Sequence, residues 1–433
     1  MTEVLLITIS CSGPSDISNT FTQVLAESGA VLLDMRRALV HSALALAYTV
    51  RLSTKAQAAE IERAIHRTAW EAGATAHVSK ISEAQFYQWA SGHERQRFIV
   101  TLIAPLITAA QMACISSVLG SMAIMIDSIE RLSTLESAAD QQDPRICLEL
   151  RISGEQVDPS DLRRVLLTLA GSCDLDIAVQ EDSMFRGNRR LAVFDMDSTL
   201  IQIEVIDELA RLAGVGEQVA AITESAMRGN LDFETSFCKR LSLLRGLPAT
   251  VIDELGARLP VTPGTHRLMR TLKSLGFRTA ILSGGFSCFA RKLQQRFGFD
   301  YVYANELEIK DGTLTGKAVG KIVNGARKAE LLGQIASQEG IPLEQTIAVG
   351  DGANDLPMLS IAGLGVAFHA KPVVREKAQV SISTFGLDGL LYLLGIRDRH
   401  IEDSVSENMF PAYSPSPFLD REHEGLNASR ITS

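Results

Sequence analysis

A chain of 433 residues exceeds what one hydrophobic core sustains, so several domains are expected. Hydrophobic residues at 46% and charged residues at 21% describe ordinary globular material and exclude disorder over most of the length. A formal charge of −9, with no basic run, argues against a nucleic-acid or anionic-membrane partner.

From the N-terminus, Val4 to Cys11 predicts a strand, and Ile17 to Ser28 has helical periodicity. Ala30 to Leu33 is β-like and ends at Asp34; Leu44 to Leu52 gives a further strand. A helix over Thr54 to Ala72 and a strand over Ala76 to Ile81 follow. The longest apolar stretch, near Ala38 to Val50, is broken by His41 and Ser42 and is too short to span a bilayer. The start carries Glu3 and no basic residues, which is wrong for a secretory signal.

The same series then recurs at an offset of about 94 residues, a domain-scale duplication. It comprises Phe98 to Leu106, Ala109 to Leu119, Ala123 to Ile126 ending at Asp127, Ile146 to Ile152, Pro159 to Ser172 and Asp174 to Gln180. Each copy reads β-α-β-β-α-β, a ferredoxin-like α+β order. That order resembles the ACT domain, a small-molecule module found beside amino-acid enzymes. The resemblance implies ACT-like domains over 1–90 and 95–183, pairing of sheets into a homodimer, and an amino-acid effector. Many ACT domains place a glycine loop after the first strand. The first copy has Ser12-Gly13-Pro14-Ser15; the second has Pro105-Leu106-Ile107-Thr108, without glycine, so an assembly role there stands at least level with ligand binding.

Gly187, Asn188, Arg189 and Arg190 read as a polar link into a strand at Leu191. Short buried strands are then expected at Arg278 to Leu282, Tyr301 to Ala304, Thr346 to Val349 and Leu364 to Ala367. Helices at Thr265 to Leu275, Ser287 to Phe297, Ala326 to Glu339 and Asp355 to Ala362 alternate with them. Such alternation predicts an α/β fold with a doubly wound, mostly parallel, Rossmann-like sheet over 189–396. Lys310-Asp311-Gly312 should turn a hairpin. Between about 204 and 261 only amphipathic helices are expected, a cap over the C-terminal end of the first strand. From Arg397 onward the polar, proline-bearing sequence reads as a disordered tail over 397–433.

The chemistry concentrates at strand ends. Val193-Phe194-Asp195-Met196-Asp197-Ser198-Thr199-Leu200 runs a buried strand into two carboxylates, which is costly unless a cation or a reaction requires them. Ile281-Leu282-Ser283-Gly284-Gly285 ends a second strand in a hydroxyl and amides that can cradle an oxyanion. Lys328 offers a point charge for phosphate. Gly350-Asp351-Gly352-Ala353-Asn354-Asp355 crowds further acids at another strand end. In an open α/β sheet all four segments converge beyond the C-terminal strand ends.

Asp195-Met196-Asp197-Ser198-Thr199, Ser283-Gly284, Lys328 and the Gly350 to Asp355 string together resemble the four motifs of the haloacid dehalogenase superfamily, most closely its phosphoserine phosphatases. The resemblance implies Mg²⁺ held by Asp195, the Asp197 backbone carbonyl and Asp351. It implies Asp195 as nucleophile through an aspartyl-phosphate and Asp197 as acid–base. Ser283, Gly284 and Lys328, with Asn354, would bind the phosphoryl group, and Asp355 would orient the metal's surroundings. In the cap, Glu204 would take the ammonium of O-phosphoserine, Arg240 its carboxylate, and Phe233 would pack near the substrate; L-serine is the product. Another small phosphomonoester, transfer to an alcohol, or a silent amino-acid-sensing scaffold stand as alternatives. The scattered cysteines Cys11, Cys114, Cys147, Cys173, Cys238 and Cys288 read as small buried hydrophobes of a reducing, cytoplasmic protein.

Overall fold

Alternation sets the first strand: in Glu3–Ser12 (β1), Leu5, Ile7 and Ile9 face the core while Thr8 and Ser10 face out. The computed structural model describes residues 3–12, 17–90, 95–134, 144–228 and 230–403. Contacts divide the chain into two compact units, 1–95 and 96–433.

In the first unit, β1 lies between Ala43–Leu52 (β3) and Thr75–Ile81 (β4), and Val31–Val40 (β2) forms one edge. The order is β2-β3-β1-β4, all antiparallel. Helices Ser18–Glu27 and Lys55–Glu71 pack Phe21, Leu25, Ile61 and Ile65 onto Leu5, Ile7, Tyr48 and Val50. Thr54 and Gln57 close a capping box at the second helix. β2 runs to Val40, well past the strand expected to stop at Asp34, because it pairs along the whole of β3 through the His41-Ser42 turn. The helix Glu83–Ala90 was not expected from sequence. Gly13, Pro14 and Ser15 of the proposed ligand loop lie outside the described residues.

The second unit opens with the same plan. Gln96–Ala104 (β5), Met125–Arg131 (β6), Ile146–Gly154 (β7) and Asp176–Glu181 (β8) take the order β6-β7-β5-β8. Ile115 and Leu119 fill the places that Phe21 and Leu25 fill in the first copy.

A larger sheet follows: Leu191–Phe194 (β9), Arg278–Phe286 (β10), Tyr301–Lys310 (β11), Thr313–Val319 (β12), Thr346–Gly350 (β13), Leu364–Phe368 (β14) and Val380–Ile382 (β15). Its order is β12-β11-β10-β9-β13-β14-β15, parallel except for β12. β9, β13, β14 and β15 are buried along their whole length, as expected when helices cover both faces. Asp311 and Gly312 turn the β11–β12 hairpin with φ of 49° and 73°.

Helices Val205–Leu212, Gly216–Met227, Phe233–Ser242 and Thr250–Ala257 are inserted after β9. Both stems of the insertion leave side by side, since Ile201 pairs with Val261. At its far end the insertion is strapped to the β11–β12 hairpin: the Gly246 and Ala249 amides donate to Leu314 O and Gly312 O, each at 2.8 Å.

The second copy and the large sheet are joined by buried polar groups. Asp176 accepts from the Ser383 amide at 2.8 Å, the Thr384 amide at 2.8 Å and Thr384 Oγ1 at 2.6 Å. Arg267 pairs with Asp388 at 3.0 Å and Asp398 at 2.6 Å, and Arg145 also pairs with Asp388. Asp398 in turn accepts from the Thr134 amide and the Tyr392 hydroxyl.

Two expectations are corrected. The chain does not become a tail at Arg397: Asp398–Asp403 is helical and Asp398 is buried; residues 404–433 lie outside the described set. The Gly187 to Arg190 link leads into β9 as read, and its Arg189 is buried and donates to Glu344 O and Thr346 O. All six cysteines are free, yet only Cys147 is buried, and Cys114 and Cys238 are exposed. Among the described residues no helix is long and apolar enough to cross a membrane.

Candidate active site

The strand ends of β9, β10 and β13 converge beneath the helical insertion. At the end of β9 the Asp195 amide donates to Val349 O at 2.9 Å, locking that turn to β13. The backbone then coils tightly over Met196–Leu200, with Ser198 at a φ of 57° in the left-handed region. This strained turn is held by Ser198 N donating to Ile203 O and Thr262 Oγ1 donating to Thr199 O.

Lys328 stands at the centre, wholly buried. Its Nζ lies 2.8 Å from Asp195 Oδ1 and 2.7 Å from Asp355 Oδ1. Burial alone would lower the pKa of Lys328, but the two carboxylates outweigh it and hold the ammonium above its ordinary range. Asp195 Oδ1 also accepts from the Met196 amide at 2.7 Å, and Asp355 Oδ2 from the Gly352 amide at 3.0 Å. One oxygen from each of Asp195, Asp351 and Asp355 lies within 4.8 Å of the others.

That cluster carries more negative charge than Lys328 balances. Desolvation, then Asp195 and Asp355, push the Asp351 carboxyl up to about 8; desolvation and Asp195 push Asp355 up to about 7. The donor set is carboxylate oxygen throughout, which suits a hard divalent cation such as Mg²⁺. The sequence reading gave Asp355 a supporting part, and the structure places it in the acidic cluster itself and in an ion pair with Lys328.

Asp197 is buried beside this cluster, and its Oδ1 has no protein partner. Burial, then Glu204 and Asp195, hold its carboxyl well above the usual carboxylate range. A carboxyl whose proton affinity is raised in this way suits a proton donor. Gly285 explains how it fits: a Cβ there would stand 2.4 Å from Asp197 Oδ2 and 2.9 Å from Met196 Cε. Gly285→Ala should therefore lower kcat by about 100-fold, the usual cost of displacing a reacting group by an ångström. Gly187→Ala, where a Cβ meets nothing within 4 Å, should leave kcat unchanged in the same assay.

Ser283 is buried, and its Oγ accepts from the Gly285 amide at 2.9 Å. Gly284 lies under Phe233 of the insertion, whose Cζ would be 3.0 Å from an added Cβ. Phe233 stacks on Phe237, which leans on Phe286, so apolar rings tie the insertion to the glycine loop. Asn354 lies at the mouth between Gly352 and Gly325, both of which lack room for a Cβ against it. Ser198 Oγ donates to Glu204 Oε1 at 2.9 Å. Desolvation leads the rise in the Glu204 carboxyl, and the Ser198 bond opposes it. Arg240 is half-buried with no partner for Nε; Asp207, Glu204 and Asp197 surround it electrostatically. Asp195, Asp351, Asp355 and Lys328 thus form one cluster, Gly285 abuts Asp197, Phe233 abuts Gly284, and Glu204 is bonded to Ser198.

Sequence reasoning missed Asn305, Asn324 and Asp207. Asn324 caps the helix Gly325–Gln338 and also donates to Glu234 Oε1 at 2.7 Å, joining sheet and insertion. An asparagine three residues before Arg327 is a helix-cap signal that could have been read.

Comparison with known proteins identifies the family. Residues 192–360 match the haloacid dehalogenase-like hydrolase family model, and residues 3–79 the ACT domain model. A phosphoserine phosphatase of Streptomyces coelicolor is 45% identical over 72% of this chain and 74% of its own. One from Mycobacterium tuberculosis is 38% identical over 92% and 94%. Among solved structures, a probable phosphoserine phosphatase of Vibrio cholerae aligns with a TM-score of 0.56 at 36% identity, covering 72% of this chain and 90% of that one. Likeness sustained over that length establishes common descent, and the chain belongs to the phosphoserine phosphatase family of haloacid dehalogenase-like hydrolases.

Proposed function

We propose that this phosphatase hydrolyses O-phosphoserine to L-serine and orthophosphate through a phosphate ester on Asp195. The observation that carries the reading is the convergence of Asp195, Asp351, Asp355 and buried Lys328 beside buried Asp197. Mg²⁺ at the three carboxylates, with the Asp197 carbonyl, would neutralise the phosphate dianion and keep it in line.

Lys328 and the Met196 amide fix Asp195 through Oδ1, and Oδ2 attacks phosphorus. As the P–O bond to serine breaks, Asp197 gives its proton to the serine oxygen. Asp197, now ionised, takes a proton from the water that attacks the acyl phosphate, and orthophosphate leaves with Asp195 restored. The Ser283 hydroxyl, the Gly284 amide, Asn354 and Lys328 bind the phosphoryl oxygens throughout. Glu204 and Arg240 meet the ammonium and carboxylate of the amino acid, and Phe233 closes over it. In the same reading residues 1–90 and 95–183 are ACT-like domains, for assembly or amino-acid sensing, of a cytoplasmic homodimer, and 204–261 is the cap of a hydrolase domain over 189–396.

The test is phosphate release from phosphoserine with Mg²⁺ and with a chelator. Release should depend on Mg²⁺, and absence of release from any monoester would overturn the reading. Arg240→Ala should reduce kcat/KM for phosphoserine by about 100-fold, and that for p-nitrophenyl phosphate by less than about fivefold. Equal losses on both substrates would remove Arg240 from substrate choice.

A further inference from the structure

Asn305 sits where β10 and β11 resume pairing after the glycine loop. Leu282 pairs with Tyr303 and Phe286 with Asn305, so β10 spends extra residues on Ser283-Gly284-Gly285. The Asn305 side chain is 2% exposed, and a buried amide is costly unless both ends are bonded. Both are: Nδ2 donates to Gly284 O and Oδ1 accepts from the Val323 amide, each at 2.8 Å.

Those two bonds reach separate parts of the site. Val323 directly precedes Asn324, which caps the helix carrying Lys328. Gly284 and Gly285 share one planar peptide, in which C=O and N–H point in opposite directions. Pinning Gly284 O to Asn305 therefore aims the Gly285 N–H away from it, where it meets Ser283 Oγ at 2.9 Å. With one lone pair so engaged, the Ser283 hydroxyl proton is free to turn toward a phosphoryl oxygen.

We propose that Asn305 is a positioning residue for phosphoryl transfer, holding the Ser283–Gly285 loop in register with the Lys328 helix. It touches no reacting atom, and it acts through Gly284, Ser283 and Val323. The inference rests on the phosphatase reading above.

Two variants separate its bonds. Asn305→Asp keeps an acceptor for Val323 and loses the donor to Gly284; Asn305→Ala loses both and buries no charge, so it serves where the carboxylate prevents folding. Gln180→Ala, which removes a buried bond to Leu393 O away from the site, controls for lost stability. In the full-length enzyme both Asn305 variants should lower kcat for phosphoserine by about 30- to 100-fold with KM within about threefold, because misaimed donors matter most as phosphoryl charge shifts in the transition state. Inhibition by orthophosphate should weaken about tenfold, and Gln180→Ala should lower Tm with kcat intact. An Asn305 variant that lowers Tm but keeps kcat within twofold, or that raises KM alone, would overturn the proposal while leaving the phosphatase reading standing. If Lys328→Met kept full activity beside them, the reading beneath would fall, and this inference with it.

Discussion

Asp195→Asn should leave a folded protein whose turnover is slower by about 10⁴-fold or more, the scale seen when a nucleophile or its activating partner is removed. Asparagine is nearly isosteric, so the Met196 amide keeps an acceptor and the turn over Met196–Leu200 keeps its shape. What is lost is the anionic oxygen that attacks phosphorus. Stability should hold or rise slightly, because Asp195 is among the charges pushing up Asp351, Asp355 and Asp197. Single-turnover phosphate release and a melting curve measure both. Retention of more than about one per cent of kcat would show that another group attacks.

Lys328→Met should fail in the opposite manner, with stability and rate falling together. Methionine fills similar volume but leaves Asp195 and Asp355 buried against each other without their cation. Removing one partner of such a buried pair costs about 3–5 kcal/mol. Loss of an oxyanion donor adds about 10²- to 10³-fold in kcat. Added Mg²⁺ should raise the Tm of this variant more than that of the parent, since a divalent cation relieves the same repulsion. An equal Mg²⁺ shift in both proteins would mean that the ion does not share the cluster with Lys328.

The site was legible where chemistry is contiguous in sequence. Asp195-Met196-Asp197 and Gly350 to Asp355 each place several acids at one strand end, and alternation of strand and helix predicts that these ends meet. Asn305 left no such trace: it falls just after the strand expected at Tyr301 to Ala304 and looks like any polar residue ending one, and its partners Gly284 and Val323 are distant in the chain. The same holds for Asp398, whose composition context reads as tail while its partners are Thr134 and Arg267. β2 was cut short because Asp34 breaks its apolar run, and only pairing with β3 carries it on to Val40. Local pattern reports backbone preference; a single buried hydrogen bond across distant segments leaves no period to detect.

The join between the second copy and the large sheet has a consequence during synthesis. Asp176 and the Ser383 amide it binds are 207 residues apart. At elongation rates of about 5–20 residues per second, the second copy waits on the order of 10–40 s before its partner segment exists. For that interval Asp176 must stay hydrated, and the apolar surface of Ile103, Leu132 and Ala178, which later merges with the core of the large sheet, stays bare. The nascent chain is therefore open to chaperones and proteases at this half-built seam, and its protection arrives with the last strand, β15, and the helices beyond it.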